Sequence, residues 1–108
     1  MVIVTTKHLD LAAAKHRDAA KELAVWEHIV SATRWMNFEE VRATFPDADN
    51  VDGYVVFNIR HNRYRLITVV HYAKDLADRK TQGHCYIRSF LTHTEYDNRG
   101  NWDKEFGR

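Results

Sequence analysis

Apolar positions along this chain follow two periods. From Lys7 to Arg34 they recur every three or four residues: Leu9, Ala12, Ala13 and His16, then Ala20, Leu23 and Ala24, then Trp26, Ile29, Val30 and Thr33. That spacing lines one face of a helix. It predicts helical structure with a break near His16 and Arg17, where Asp18 is placed to cap a second helix. A helical hairpin and one bent helix both fit. Trp35, Phe38, Val41 and Phe45 continue the helical spacing, with Asn37 as N-cap, Glu39 and Glu40 in the first turn where the helix dipole favours negative charge, and Pro46 as the stop. The run PDADNVDG, residues 46–53, is turn chemistry and predicts a loop.

Beyond that loop the period changes to two. Val55, Phe57 and Ile59 alternate with Tyr54, Val56, Asn58 and Arg60, which predicts a strand over residues 54–60. A tight His61–Asn62 turn leads into a second strand over 63–72. Residues 73–83 read as a polar, mobile connection to a third strand over 84–91. Thr92 then caps a short helix with Glu95 closing a capping box. Val2, Ile3 and Val4 are a β-branched run long enough for one further strand. The tail from Asn98 to Arg108 is polar apart from Trp102, and both a frayed and a packed-back tail fit it. Trp26 and Trp35 sit on apolar helix faces, as core or partner-facing residues. The pattern predicts an α+β fold in one domain spanning residues 1–108: N-terminal helices packed on a small, mostly antiparallel sheet, with a short C-terminal helix.

Composition narrows this picture. With 44% hydrophobic and 29% charged residues the chain falls among ordinary globular domains and outside the disordered class. The single cysteine, Cys85, excludes a disulfide framework within the chain and fits a reducing cytoplasm. Neither a signal peptide nor a membrane-spanning run is expected at the N-terminus or elsewhere. Net charge is only +1, but it is unevenly spread: residues 1–53 carry six Lys/Arg against nine Asp/Glu, or −3, and residues 54–108 carry ten against six, or +4. The strand half is therefore the half suited to phosphates.

Candidate chemistry concentrates there. Arg65 and Arg88 each interrupt an apolar strand, where an unpaired charge is costly to bury; each needs a carboxylate partner or a cleft in which its fork can bind phosphate. His93 and Tyr96, three apart in a helical turn, share a face. An imidazole exchanges protons near neutral pH, and a phenol beside arginines is expected to have its pKa lowered by their charge, so either is a candidate general acid or base. The bland alternatives are a surface or capping histidine and a core tyrosine. Seven histidines show no metal-ligand spacing, and there is no glycine-rich phosphate loop or nucleophile elbow, so neither metal nor cofactor is expected.

The segments FNIRHNRYRLI and CYIRSFLTHTEYD, with the helical N-terminal half and PDADNVDG between them, resemble the HigB family of bacterial type II toxins within the wider RelE-like superfamily. The resemblance runs over nearly the whole chain. It implies a RelE-like fold and a ribosome-dependent mRNA interferase that cleaves messenger RNA in the ribosomal A site, held silent by a cognate helix-turn-helix antitoxin of the HigA kind. The implied reaction is metal-independent: the ribose 2′-OH attacks the adjacent phosphate, leaving a 2′,3′-cyclic phosphate and a 5′-OH. Carried over, Arg65 and Arg88 bind phosphate and stabilise its developing charge, His93 and Tyr96 move protons, and Asn58, Arg60, Asn62 and Arg63 position RNA. Where RelE supplies strand lysines this chain has Arg60 and Arg63, and arginine is too basic for a general base. A near-neutral chain also implies that the ribosome provides much of the RNA affinity. A non-catalytic RNA- or protein-binding module with the same fold is the alternative, and a metal-dependent hydrolase a third reading.

Overall fold

The computed structural model describes residues 1–106; Gly107 and Arg108, the end of the predicted tail, lie outside the described residues. Strand β1 (Val2–Val4) leads into helices α1 (Thr6–Lys15) and α2 (Ala20–Ser31), then α3 (Phe38–Thr44). Strands β2 (Asp49–Val51), β3 (Tyr54–Ile59), β4 (Tyr64–His71) and β5 (His84–Thr92) follow, then a single turn of helix, α4 (His93–Tyr96), and a 3-10 turn over Arg99–Asn101. The sheet has the order β1-β5-β4-β3-β2. Among the described residues only the β1–β5 pair is parallel.

The helical half is a hairpin: α1 ends at Lys15, a 3-10 turn covers Arg17–Ala19, and α2 starts at Ala20. Asp18 lies in that turn and does not cap α2, whose N-cap position is Ala19 with no side-chain cap. Its carboxylate instead accepts from the Tyr64 hydroxyl at 2.7 Å and the Arg63 guanidinium at 2.8 Å. The Asn37 cap forms as expected, accepting from the Glu40 amide at 2.9 Å.

One face of the sheet is covered by the helices. There Trp26, Phe57 and Trp35 are buried, with Trp26 and Phe45 both 5.2 Å from the Phe57 ring. Buried rings of this size each stabilise a core by about 3–5 kcal/mol relative to alanine. Both tryptophans are thus core residues.

Three expectations change, and one open alternative is decided. Residues 49–51, expected in a loop, form an edge strand paired to β3; the connecting Asp52 and Gly53 have φ of 50° and 87°, the left-handed pair that an Asp-Gly hairpin turn requires. The β3–β4 turn spans four residues, Arg60–Arg63, rather than two. Arg60 therefore leaves the strand. The 73–83 connection is tied down by Arg34, which donates to the Thr81 and Lys74 carbonyls at 3.0 and 2.9 Å and pairs with Asp75 at 2.8 Å. Finally, the C-terminal segment packs back.

That segment organises the second face of the sheet. Trp102 is 3% exposed and clusters with Val56, Ile67 and Leu91. Its ring stacks on Tyr96 at 4.8 Å and meets Tyr54 edge-on at 5.3 Å. β1 pairs with β5 only as far as Tyr86. Beyond it the tail takes over that edge: the Phe106 amide donates to the Arg88 carbonyl at 2.9 Å, and the Phe90 amide to Glu105 at 3.0 Å.

Candidate active site

The second face of the sheet carries the predicted chemistry. Asn58 on β3 and Leu91 on β5 are the cross-strand partners of Arg65 on β4, and directly paired residues share a face. The Arg65 side chain is oriented from the turn before it: Nη1 donates to the Asn62 carbonyl at 3.1 Å. Nη2 lies 3.3 Å from His93 Nδ1, and Cζ stands 5.3 Å from the centre of the Tyr96 ring. This places Arg65 between the imidazole and the phenol.

Local folding of α4 explains why those two groups are there. Thr92 and Glu95 form the capping box, and the His93 amide donates to the Arg63 carbonyl at 3.0 Å, so the helix start is bolted to the β3–β4 turn. A guanidinium has only donors. In the Arg65–His93 contact Nδ1 is therefore the acceptor, and the neutral ring carries its proton on Nε2.

Tyr96 departs from expectation. Its pKa is raised, first by burial and then by the charge of Asp49, and Arg65 and Arg99 only partly oppose this. Desolvation of the phenolate outweighs the guanidiniums. Tyr96 stays protonated at neutral pH.

Arg65 and Tyr96 border an open cleft of about 410 Å³, lined also by Arg42, Asp47, Asp49 and Asn58; His93 does not line it and meets it through Arg65. Arg42 is a second cation that sequence reasoning missed. It lies in the last turn of α3, donates to the Pro46 carbonyl at 3.1 Å, and reads in sequence as one more solvated helix position. The carboxylates of Asp47 and Asp49 were likewise hidden in what looked like a loop. No local signal marks any of the three; they meet only where α3, the turn after it and β2 border the cleft.

Three expected residues stand elsewhere. Arg88 is the extra residue of a β-bulge, since Ile67 pairs with Ser89 and Thr68 with Ile87. Its Nε donates to Asp103 at 2.7 Å, and it does not line the cleft. Asp103 also accepts from the Tyr54 hydroxyl. Burial opposes its ionisation, but the hydrogen bonds from Tyr54 and Arg88 bring its pKa below the usual carboxylate value. Arg63 is paired with Asp18. Arg60 has φ of 57° in the turn, and its amide donates to Glu22 at 2.9 Å. So Asn58, Asn62, Arg65, His93 and Tyr96 come together, while Arg63 and Arg88 pair with Asp18 and Asp103 and Arg60 sits in the turn outside the cleft lining. Among the described residues no three His, Cys, Asp or Glu side chains gather where they could hold a metal ion.

The model of the HigB toxin family, a RelE-like toxic component of a toxin-antitoxin system, matches residues 19–99. The chain belongs to that family. The match spans every residue lining the cleft together with Asn62 and His93, and it excludes α1 and Trp102. Among curated proteins, the mRNA interferase toxin HigB of Escherichia coli K12 is 31% identical over 100 residues, covering 90% of this chain and 88% of the relative. The mRNA interferase HigB of Shigella flexneri matches with the same figures. Membership in the HigB family makes this chain the toxic member of a toxin-antitoxin pair. Among the described residues no helix is long and apolar enough to cross a membrane.

Proposed function

We propose that this HigB-family chain is an mRNA interferase that cleaves messenger RNA in the ribosomal A site and is silenced by a helix-turn-helix antitoxin of the HigA kind in the cytoplasm. The observation that carries the reading is Arg65, set against both His93 Nδ1 and the Tyr96 ring at the edge of an open cleft. Resting Arg65 occupies the lone pair of Nδ1. A phosphodiester offers its guanidinium charged oxygens, a stronger acceptor than a neutral ring nitrogen. As the scissile phosphate takes over Nη2, Nδ1 becomes available to accept the proton of the ribose 2′-OH. The O2′–P bond forms, the P–O5′ bond breaks, and the protonated Tyr96 hydroxyl is the donor for the departing 5′ oxygen. Arg65 meanwhile stabilises the charge growing on phosphorus oxygens, from a position set before the reaction begins. Arg42 and Asn58 hold the flanking RNA. No step draws on a metal.

Induced expression from a tight promoter, with 5′-end mapping of cellular RNA, tests this reading. Growth arrest with new 5′ ends inside translated frames, reversed by the cognate antitoxin, is expected. A soluble, folded protein that arrests nothing and creates no new ends would instead be a binding module built on the same fold.

A further inference from the structure

The β3–β4 turn is held from outside the cleft. Arg60 and His61 have φ of 57° and 59°, a conformation that costs a residue with a Cβ about 1–2 kcal/mol each. The turn's own bond, from the Arg63 amide to the Arg60 carbonyl at 3.1 Å, is a single link. Two carboxylates of the helical layer supply the rest. Glu22, in the first turn of α2, accepts from the Arg60 amide at 2.9 Å. Asp18, four residues earlier, accepts from the Arg63 guanidinium and the Tyr64 hydroxyl at 2.8 and 2.7 Å. Between those anchors hang the two carbonyls that build the site: that of Asn62, which orients Arg65, and that of Arg63, which receives the His93 amide at 3.0 Å.

We propose that Asp18 and Glu22 are positioning residues for the cleft: from the helical layer they clamp the Arg60–Arg63 turn at both ends and so set Arg65 and His93 against each other. Neither lines the cleft. They contact the turn through the Arg60 amide, the Arg63 guanidinium and the Tyr64 hydroxyl, and so reach the cleft only by way of the turn. The hydrogen bonds from Tyr64 and Arg63 hold the Asp18 carboxyl below its ordinary value, which keeps the clamp charged at neutral pH. For its activity readout this assignment rests on the interferase reading; its structural readout does not.

The test compares Asp18→Ala, Glu22→Ala, Glu22→Gln and the charge swap Asp18→Arg with Arg63→Asp. Amide hydrogen exchange on the free protein is followed together with cleavage on programmed ribosomes. Removing either carboxylate is expected to speed exchange at Arg60, Arg63 and His93 while β4 and β5 interiors stay protected. It should lower kcat between about ten- and a hundredfold, the scale of a misplaced reacting group, with KM nearly unchanged. Glu22→Gln, which keeps an acceptor, and the charge swap should both recover kcat. The proposal is overturned if the three amides exchange as in the parent, or if they loosen and kcat does not fall, or if kcat falls only in step with melting temperature and neither rescue restores it. A parent that cleaves no RNA removes the interferase reading and leaves the clamp to be decided by exchange alone.

Discussion

Arg65 Nη2 lies 3.3 Å from His93 Nδ1, joining two residues 28 apart in the chain. The contact exists only while Nδ1 carries a lone pair. His93 therefore offers Arg65 an acceptor nitrogen, and a phosphate oxygen approaching Nη2 competes with it.

In the proposed reaction Tyr96 is the proton donor to the departing oxygen. Tyr96→Phe keeps the ring that stacks on Trp102 at 4.8 Å, so melting should be nearly unchanged, while cleavage loses a proton-transfer step of the kind that contributes about 10²- to 10⁴-fold. The sign of its pH dependence follows from burial. A raised pKa keeps the donor form present to higher pH, so no alkaline loss from this group should occur below tyrosine's ordinary value of about 10. A pH–rate profile falling between neutrality and that value in the parent but not in Tyr96→Phe would oppose this.

Arg42 reaches the cleft from α3 and is exposed. Arg42→Ala should raise KM for RNA several-fold, leave kcat close to parental, and change stability by no more than about 0.5 kcal/mol, as surface substitutions do. Initial rates over a range of programmed-ribosome concentrations separate the two constants.

Asp103 ties the tail to the sheet. A carboxyl depressed on folding contributes stability that is full above its unfolded value and lost as pH falls through its folded value. Melting of the parent should therefore weaken in acid, below the ordinary carboxylate range. Asp103→Asn should show a smaller acid loss and, at neutral pH, a deficit of about 1 kcal/mol, discounted because the carboxylate is 42% exposed. Thermal melts of both proteins across pH check it.

Gly83 precedes β5 with φ of 75°. A Cβ there would stand 2.7 Å from the His71 carbonyl oxygen and 2.8 Å from the Ala73 amide nitrogen. Gly83→Ala should cost about 1–3 kcal/mol from backbone strain alone, read as a lower melting temperature. At temperatures where it is folded it should still cleave, because Arg65 lies on β4 and His93 and Tyr96 in α4, beyond the opposite end of β5.

The helices, the three long strands and the capping box were legible because each follows one period, and the Leu9–Val30 stripe and the Val55–Phe57–Ile59 alternation cannot serve another. What escaped were features that break the period. Asp49–Val51 is a polar edge strand with no apolar face to announce it, although Asp52–Gly53 carried the hairpin signal. The bulge at Arg88 moves the inward positions from Cys85 and Ile87 to Phe90, a change of parity that was visible in the sequence but has no fixed place until β4 is paired. Without that bulge Arg88 reads as the twin of Arg65; with it, Arg88 meets Asp103 from a tail whose polar sequence fitted a frayed and a packed-back course equally. Trp102 was a lone apolar residue in polar surroundings, and only Tyr54 and Tyr96 together give it a site. Arg65, His93 and Tyr96 were recoverable because a charge inside an apolar strand and a capped turn at a strand end are local anomalies.

The most direct measurement is single-turnover cleavage of a message on programmed ribosomes by the parent, Arg65→Ala and Arg88→Ala, each first shown to be folded. Loss of a preorganised donor at the transition state predicts a fall of about 10²- to 10³-fold for Arg65→Ala. Arg88→Ala should lose far less and show its effect mainly as weaker melting. Parental cleavage by Arg65→Ala, with the large loss falling on Arg88→Ala, would contradict a cleft centred on Arg65 and move the chemistry to Arg88 and its partner Asp103.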